Sequence, residues 1–423
     1  RYRLTVNHLI STRKRMASPA PLSTASTWDK HSLNKVLTVV FWPLTVFVIL
    51  YKVFIQAVNG YITNDFAPVY DAVKQFLAGQ PVYTDNYNFT NPHYLYSPSG
   101  TLLLAPFGFI TNETISRWVF IGFNALCIVL ASIILVKMFE FSLKGCALPI
   151  LLFASFISEG VTNTLVFSNI NGAVYLCEVG FLYLLLHNKN WWAGVPLGIS
   201  LAIKPMLAPL LLLPILLKRW RPFITAFAIP AVLNIIGYYI AADPAEYWTR
   251  TVKYLGEVRD YYNNSIAGWL AYWGAPPAFT WTIRIIVIML GLATIVLLQP
   301  YRTIDCRLWL TTVTGTVLLI AFLGGSLGQR YYSIMLIPMV MTIVSKASFL
   351  KNWPAWLAIY LILGEHRWYS TRWITYGRWF EYSRATIGWL LLLIIIFIVS
   401  LWRYRVARKI QDPTYPTGKT AFL

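Results

Sequence analysis

Residues 118–136, WVFIGFNALCIVLASIILV, form an apolar run without a charged side chain. Such a run is close to the length of about 20 residues that a helix needs to cross the hydrocarbon core of a bilayer. Further apolar runs lie on both sides of it, at Val36–Val58, Ala147–Ile157, Gly172–Leu186, Phe223–Ile240, Ile283–Leu298, Leu308–Leu323, Ile334–Val344, Trp356–Leu363 and Ile387–Trp402. The pattern is typical of a protein that crosses a membrane many times.

Two other apolar stretches contain proline, which removes a backbone donor and kinks a helix. Gly100–Ile110 includes Pro106, and Ala193–Leu217 is interrupted at Lys204-Pro205. We predict that the second stretch forms two short helices that meet at Lys204-Pro205. Together, the runs predict an all-α polytopic membrane protein with about 11 transmembrane helices.

The composition agrees with this prediction. Of the 423 residues, 57% are hydrophobic and only 12% are charged, against about 25% charged in soluble domains. We predict one membrane-embedded domain, residues 34–403, between cytoplasmic tails formed by residues 1–33 and 404–423. Residues 1–15 precede Met16 and need not belong to the natural protein. The 18 Trp and 26 Tyr residues suit the two membrane interfaces.

The formal net charge of +19 would also fit a nucleic-acid-binding protein. Here, however, Lys and Arg cluster between the apolar runs, which is the pattern of cytoplasmic loops and of contacts with anionic headgroups. We therefore expect membrane lipids as partners and no nucleic acid. The loops 61–99 and 242–280 then lie outside the cell. Loop 365–384 also lies outside by span order, although its arginines contradict the simple charge rule. The four cysteines predict neither a metal site nor a disulfide.

The first external loop is the most informative segment for function. Apolar residues recur at helical spacing from Phe66 to Leu77, and Gly79 ends the pattern, which predicts a short amphipathic helix in the membrane interface. Asp65 lies at its N-terminus. Two interpretations stay open: Asp65 caps the helix, or its carboxylate deprotonates an acceptor hydroxyl as a general base. The helix dipole would favour the carboxylate form, so we expect Asp65 to act by placement and not by a raised pKa.

Two cations are candidates for binding phosphate. Lys204 lies inside an apolar stretch, where an ionisable side chain is costly and points to function. Arg330 follows a glycine-rich connection, and its planar fork matches phosphate oxygens. The alternatives are that Lys204 extends to the interface and that Arg330 contacts lipid phosphates non-specifically.

Polar and aromatic side chains near these cations and Asp65 are candidates for substrate binding, because sugars bind through hydrogen bonds and aromatic faces. They are Asn64, Tyr70, His93, Tyr94, Tyr96, Asn169, Asn171 and Gln329. Simpler roles compete with this one, namely helix capping for Asn169 and Asn171 and an interfacial belt for the aromatic residues. No P-loop, GxGxxG loop, Cys/His metal cluster or GxSxG elbow is present.

An acid in Asn-Asp-Phe after the first span, an interfacial helix and a basic residue in a Lys-Pro helix break resemble the GT-C class of membrane glycosyltransferases. The runs DFAPVY from Asp65 and HYLYSPSGTLLLAP from His93 are similar to the arabinofuranosyltransferases of glycosyltransferase family 87. The first-loop motif is fairly specific, and the Lys-Pro break is less so.

The resemblance implies a GT-C fold and a polyprenyl-phosphate sugar donor, decaprenyl-phosphoryl arabinofuranose. It further implies an acceptor arabinan of arabinogalactan or lipoarabinomannan, and an α-1,3 branch formed with inversion at the outer face of the plasma membrane. Asp65 matches the acid of the family and would be the base. No metal or other cofactor is implied. Lys204 and Arg330 are chosen by charge and position alone.

Three alternatives remain. A sister branch of the same family transfers mannose from polyprenyl-phosphate-mannose to phosphatidylinositol mannosides, and the residues do not separate arabinose from mannose. A flippase for lipid-linked sugars would explain the spans and Lys204, but such transporters often show paired repeats with broken helices, and only one break is evident. A scaffold for other cell-wall enzymes would not depend on Asp65.

Overall fold

The computed structural model describes residues 30–60 and 64–409. Most of the two predicted tails, residues 1–29 and 410–423, therefore lies outside the described residues. Within the described residues the chain is helical, and the β-structure consists of one isolated bridge between Pro81 and Ala242. The α-helices are α1 (Lys30–Leu50), α2 (Phe66–Leu77), α3 (Pro98–Leu104), α4 (Glu113–Met138), α5 (Ala147–Phe156), α6 (Glu159–Val166), α7 (Asn171–Leu186), α8 (Asn190–Ile203), α9 (Leu212–Leu216), α10 (Trp220–Ile240), α11 (Val252–Gly256), α12 (Ile266–Tyr272), α13 (Pro277–Leu298), α14 (Tyr301–Ile304), α15 (Cys306–Gly324), α16 (Ile337–Val340), α17 (Trp353–Leu363) and α18 (Ile374–Lys409).

Shorter helical segments of other types join these helices. Two are π-helical, Tyr51–Ala57 and Tyr247–Thr251. Four are 3₁₀-helical, Ala105–Phe109, Pro205–Leu211, Arg330–Leu336 and Met341–Val344. The predicted break at Lys204-Pro205 is confirmed, because α8 ends at Ile203, Lys204 is extended (φ −148°, ψ 111°) and a 3₁₀-helix begins at Pro205.

The prediction of an all-α polytopic membrane protein is confirmed. Among the described residues, six helices are long and apolar enough to cross a membrane: α4, α10, α13, α15, α18 and α1 with its π-helical extension. A seventh span is formed if α5 and α6, which meet at a bend of 61°, cross as one broken unit. Four shorter apolar segments add to these, at Asn171–Leu186, Pro205–Leu216, Arg330–Val344 and Trp353–Leu363. The total of about 11 spans stays a prediction.

The helices pack in two groups. In one, α4, α7, α8 and α10 lie side by side, and in the other α13, α15 and α17 surround α18. Small residues allow close approach in the first group: a Cβ on Gly194 of α8 would lie 2.3 Å from the carbonyl oxygen of Pro222 at the start of α10. The 3₁₀-helix Arg330–Leu336 contacts α7 of the first group and both α15 and α17 of the second, and so connects the two groups.

The predicted amphipathic helix is confirmed as α2, with the bounds Phe66–Leu77. Its apolar face, including Phe66 and Val73, is fully buried against the bundle. The helix ends before Gly79, whose φ of +66° is readily adopted only by glycine. Helix α2 therefore holds the segment before it, which contains Asp65, at one end of the bundle.

Loop 365–384 begins at the same end of the bundle as Asp65. Glu365 forms an ion pair with Lys52 in the π-helical extension of α1, which leads directly into the Asp65 loop. The structure therefore places the start of this loop at the same end of the bundle as Asp65, and its location outside the cell stays a prediction.

Candidate active site

Asp65 lies where three elements meet at this end of the bundle. Its backbone N–H donates to the carbonyl of Phe167, just beyond α6, at 2.7 Å. Its side-chain Oδ2 accepts hydrogen bonds from the amide of Asn169 at 2.7 Å and from the hydroxyl of Tyr331 at 3.4 Å. A carboxylate with donors aimed at one oxygen is held in a fixed orientation.

The capping interpretation of Asp65 is wrong. Its side chain makes no capping bond; instead Asn64 Oδ1 accepts from the backbone N–H groups of Phe66 and Ala67, at 3.0 and 2.9 Å. Asn64 thus caps α2, and the structure gives it a different role from the predicted substrate contact. Because Asn64 satisfies the end of the helix, the Asp65 carboxylate remains available for chemistry.

The structure also contradicts the expectation that Asp65 would act by placement and not by a raised pKa. Burial raises the pKa of the Asp65 carboxyl above its usual range. The hydrogen bond from Asn169, the charge of Lys204 and the hydrogen bond from Tyr331 act in the opposite direction. A raised pKa makes the carboxylate a better proton acceptor, which suits a general base.

Lys204 lies at the break between α8 and the 3₁₀-helix that follows, where its charge interacts with that of Asp65. Its ammonium donates to Oδ1 of Asn171 at 3.2 Å. It also lies over the rings of Tyr332 and Tyr331, 5.0 and 5.5 Å from their centroids. The Lys204 side chain therefore points toward the site. The alternative, that it extends to the membrane interface, does not hold.

Asn171 contributes a donor that has no partner. The residue is fully buried, and its Nδ2 makes no hydrogen bond among the described residues. Buried donors in native structures are nearly always paired, by protein, water or ligand. With the Lys204 ammonium 3.2 Å from Oδ1 of the same side chain, this amide forms a place where an anion could bind.

The 3₁₀-helix Arg330–Leu336 forms another side of the site around Asp65. The single proton of the Tyr331 hydroxyl is shared between two acceptors, Oε1 of Gln329 and, at 3.4 Å, Oδ2 of Asp65. Tyr96 lies near as well, since burial and the negative charge of Asp65 both raise the pKa of the Tyr96 hydroxyl. Of the predicted substrate-binding residues, the structure thus brings Tyr96, Asn169, Asn171 and Gln329 together around Asp65.

Three other predicted substrate contacts are engaged elsewhere. The Tyr70 hydroxyl donates to the carbonyls of Ile110 and Thr111, each at 2.8 Å. Tyr94 is buried, and its hydroxyl pairs with Thr101 at 2.6 Å. His93 Nε2 lies 2.9 Å from the carbonyl oxygen of Phe89. These side chains stabilise the folded loops that carry them, and the structure gives none of them a contact with Asp65.

Arg330 is not free to bind phosphate. Its guanidinium pairs with the carboxylate of Glu381 and lies 3.5 Å from Glu159, and it also donates to the Glu381 backbone carbonyl. A guanidinium already neutralised by two carboxylates has little charge left for a ligand. The prediction of Arg330 as a phosphate ligand is therefore replaced by a structural role.

Sequence reasoning missed Arg259, which lies in the loop after α11. Its guanidinium stacks 5.0 Å from the Tyr254 ring centroid, and its Nη1 donates to the Tyr254 hydroxyl at 3.2 Å. Its Nε is buried without a hydrogen-bond partner, and no ion pair with a carboxylate is formed among the described residues. Asn263 donates to the Arg259 carbonyl at 2.9 Å, and the N–H of Asn264 donates to the carbonyl of Gly328, the residue before Gln329, at 2.6 Å. Only the tertiary structure brings this loop to the site.

Tyr331 and Tyr332 were also missed as site residues, although they directly follow Gln329 in the sequence. The two tyrosines carry the ring faces over which Lys204 lies. The site therefore combines a fixed carboxylate with a raised pKa, an unpaired buried amide, and cations on two sides. This set can remove a proton from a hydroxyl and stabilise a phosphate that leaves with negative charge.

Comparison with known proteins gives a match to one family and to several relatives. Residues 94–324 match the profile of glycosyltransferase family 87, a range that contains Asn169, Asn171 and Lys204 but not Asp65. An alpha-(1->3)-arabinofuranosyltransferase of Mycolicibacterium smegmatis is 43% identical over 382 residues, 89% of each chain. Its counterpart in Corynebacterium glutamicum is 40% identical over 400 residues, 94% of each chain.

A more distant relative is the polyprenol-phosphate-mannose-dependent alpha-(1-2)-phosphatidylinositol mannoside mannosyltransferase of Mycobacterium tuberculosis. It is 26% identical over 219 residues, 47% of this chain and 51% of the relative. No solved structure matches the chain. The full-length similarity and the family match together show that this protein is a multi-pass membrane glycosyltransferase that belongs to glycosyltransferase family 87.

Proposed function

We propose that the protein transfers arabinofuranose from decaprenyl-phosphoryl arabinofuranose to an arabinan acceptor of arabinogalactan or lipoarabinomannan, and forms an α-1,3 branch. The observation that carries this proposal is the hydrogen bond from Asn169 to the partly buried Asp65 carboxylate, with Lys204 beside it. The choice of arabinose follows the names of relatives that are 40% and 43% identical along nearly their whole length.

In the proposed reaction, Asp65 takes the proton of the acceptor hydroxyl as its oxygen attacks the anomeric carbon of the arabinose. The bond between that carbon and the phosphate oxygen breaks, and the electron pair leaves with decaprenyl phosphate. One direct displacement inverts the configuration at the anomeric carbon. The proton then passes from Asp65 to water.

The leaving phosphate carries the developing charge, and fixed cations and donors stabilise such charge most strongly in a site that excludes water. Lys204 and the free Nδ2 of Asn171 would bind it from one side. Arg259 would bind it from the external loop. With two cations available, the proposed reaction requires no metal ion. The site would open to the outside of the plasma membrane, where both lipid-linked donor and arabinan acceptor could reach it.

The decisive experiment compares donors and a base variant. Purified protein in lipid vesicles would be incubated with radiolabelled polyprenyl-phosphate arabinose or polyprenyl-phosphate mannose and an arabinan acceptor. We expect arabinose transfer, and we expect Asp65→Asn to lower kcat about 10²–10⁴-fold, the usual contribution of a general base. Asp71→Asn, which changes an exposed carboxylate on α2, is the matched control.

Three results would contradict the proposal. Transfer of mannose in place of arabinose would assign the protein to the sister activity. Movement of the intact lipid-linked sugar from one leaflet of the vesicle membrane to the other, without formation of a glycosidic product, would indicate a flippase. Full activity of a folded Asp65→Asn variant would remove Asp65 from the chemistry.

A further inference from the structure

Four charged side chains form a buried ion network beside the site. Glu159 is the first residue of α6, Arg330 begins the 3₁₀-helix Arg330–Leu336, and Glu381 and Arg384 lie one turn apart on α18. These two arginines and two glutamates come from three elements that are far apart in the sequence. We call them the ion network.

Each member of the ion network contacts at least two others. Arg384 Nη2 lies 2.6 Å from Glu159 Oε1, and Arg384 Nε lies 3.4 Å from Glu381 Oε2. Arg330 pairs with Glu381 and lies 3.5 Å from Glu159. The charges balance, so that the network can stay buried.

The ion network is deeply buried: the side chains of Arg384 and Glu381 are only 1% and 2% exposed. Buried ion pairs often stabilise a fold no better than apolar residues of the same size, because desolvation offsets their attraction. Their directional hydrogen bonds, in contrast, fix the relative position of the elements that carry them. Arg384 also donates to the carbonyls of Leu361 and Gly364 at the end of α17, and the Trp368 N–H donates to Glu381.

Both elements that orient Asp65 are attached to this network. Arg330 stands between Gln329 and Tyr331, and the Tyr331 hydroxyl contacts both Gln329 and Asp65. Helix α6 begins at Glu159 and leads to Phe167, whose carbonyl accepts from the Asp65 N–H. The two elements also touch each other, since a Cβ on Gly160 would lie 3.1 Å from the Ile334 backbone nitrogen.

We propose that Glu159, Glu381 and Arg384 are positioning residues, which act through Arg330 to hold the Tyr331 hydroxyl on the Asp65 carboxylate. This inference rests on the proposed role of Asp65 as the base. None of the three touches Asp65 directly, so a change in the network should alter the orientation of the base and leave substrate binding largely intact.

The experiment uses the full-length protein in vesicles, with Glu381→Gln as the main variant because it keeps the shape of the side chain and removes its charge. Arg330→Lys is the second variant, since it keeps the charge and removes the planar fork. Glu140→Gln is the matched control: Glu140 is mostly exposed and pairs with Arg307 at 2.7 Å, away from the ion network.

We expect Glu381→Gln and Arg330→Lys to lower kcat about 10-fold or more, because small misplacements of reacting groups are costly. The KM values for donor and acceptor should change less than about threefold, because none of the residues of the ion network is proposed to contact either substrate. The acidic limb of the kcat/KM profile should move to higher pH, because the Tyr331 hydrogen bond lowers the pKa of Asp65 and would be weakened. In a Tyr331→Phe background, this displacement should vanish.

A displacement of the acidic limb that persists in Tyr331→Phe would overturn the proposal, as would unchanged kcat and unchanged pH dependence in a folded variant. An equal loss in Glu140→Gln would also overturn it. If Glu381→Gln does not fold, Arg330→Lys gives the answer on the same criteria. Wild-type protein without any transfer activity would refute the proposed function instead, so the two failures are distinguishable.

Discussion

At the scale of single residues, two roles were considered for Asp65 from the sequence, capping of α2 and action as a base. In the structure these roles belong to two neighbouring residues, Asn64 and Asp65. Asn64 caps α2 through two backbone hydrogen bonds, and the neighbouring carboxylate points into the site. Both side chains are good helix caps, so their order in the sequence does not reveal which one caps. The contacts of Asn169 and Tyr331, which come from distant parts of the chain, decide the outcome.

The pH dependence of transfer should report the state of Asp65. Burial raises the pKa of Asp65, whereas an exposed aspartate has a pKa of about 4. Activity should therefore be lost on acidification at a higher pH than an exposed aspartate would cause. Asn169→Ala removes a hydrogen bond that lowers this pKa, so the acidic midpoint of kcat/KM should rise further. Asn190→Ala, at the exposed first residue of α8, serves as the control. A midpoint that falls or stays constant in folded Asn169→Ala would contradict this account.

Lys204 and Arg259 should both stabilise the phosphate as it leaves the sugar. Lys204→Met is expected to lower kcat about 10²–10³-fold, the range for loss of one group that stabilises developing charge. Arg259→Met should act in the same direction with a smaller effect, since it lies in a loop. Rates from single-turnover assays with excess enzyme would measure both.

Arg221→Met is the control substitution. Arg221 is exposed, and its guanidinium carbon lies 5.9 Å from the centroid of the Trp191 ring. Equal losses in all three variants would indicate a general effect of charge on the membrane protein. A normal rate in Lys204→Met would exclude Lys204 as a phosphate ligand.

At the scale of elements, broken helices build the site. Helix α8 stops at Lys204 because Pro205 cannot donate and because the residue before a proline prefers an extended backbone. The bend between α5 and α6 brings the end of α6 to Asp65. Each break frees backbone and side-chain groups that a continuous helix would have used internally.

The cap of α2 gives a test at this scale. Asn64→Ala should destabilise the protein by about 1 kcal/mol, the usual cost of losing an N-cap, whereas Asn64→Ser should cost less because serine also caps. Thermal unfolding in detergent would measure both variants. An alanine variant as stable as wild type would show that α2 does not depend on this cap.

At the scale of the whole molecule, the helix breaks and the connecting loops on one side of the bundle converge on Asp65. Tyr262 lies in the loop on this side and is 74% exposed, while Trp192 lies at the end of α8 opposite Lys204 and is 71% exposed. Their positions allow the proposed outward orientation to be measured directly.

We expect a cysteine placed by Tyr262→Cys, in a background with the four native cysteines replaced, to react with a membrane-impermeant maleimide in intact cells. Trp192→Cys should react only after the membrane is permeabilised. The reverse pattern would place Asp65 in the cytoplasm and contradict the proposed use of an external acceptor.

The sequence alone determined the membrane-embedded helical fold, the bounds of α2 and the break at Lys204-Pro205. These features depend on local hydrophobic periodicity, on glycine and on proline, all of which are visible within a few residues. It also singled out Asp65 and Lys204, because an acid at the membrane surface and a lysine within an apolar run are conspicuous against their surroundings.

Only the tertiary structure decided which charges remain available. Arg330 and Arg259 look alike in the sequence, yet Arg330 is neutralised by Glu159 and Glu381, whereas Arg259 lies on a tyrosine ring without a carboxylate. Burial raises the pKa of Asp65, and the hydrogen bonds that limit this rise likewise come from residues more than 100 positions away, Asn169 and Tyr331. Desolvation and ion pairing depend on the complete three-dimensional environment of a group, and no local pattern of residues encodes that environment.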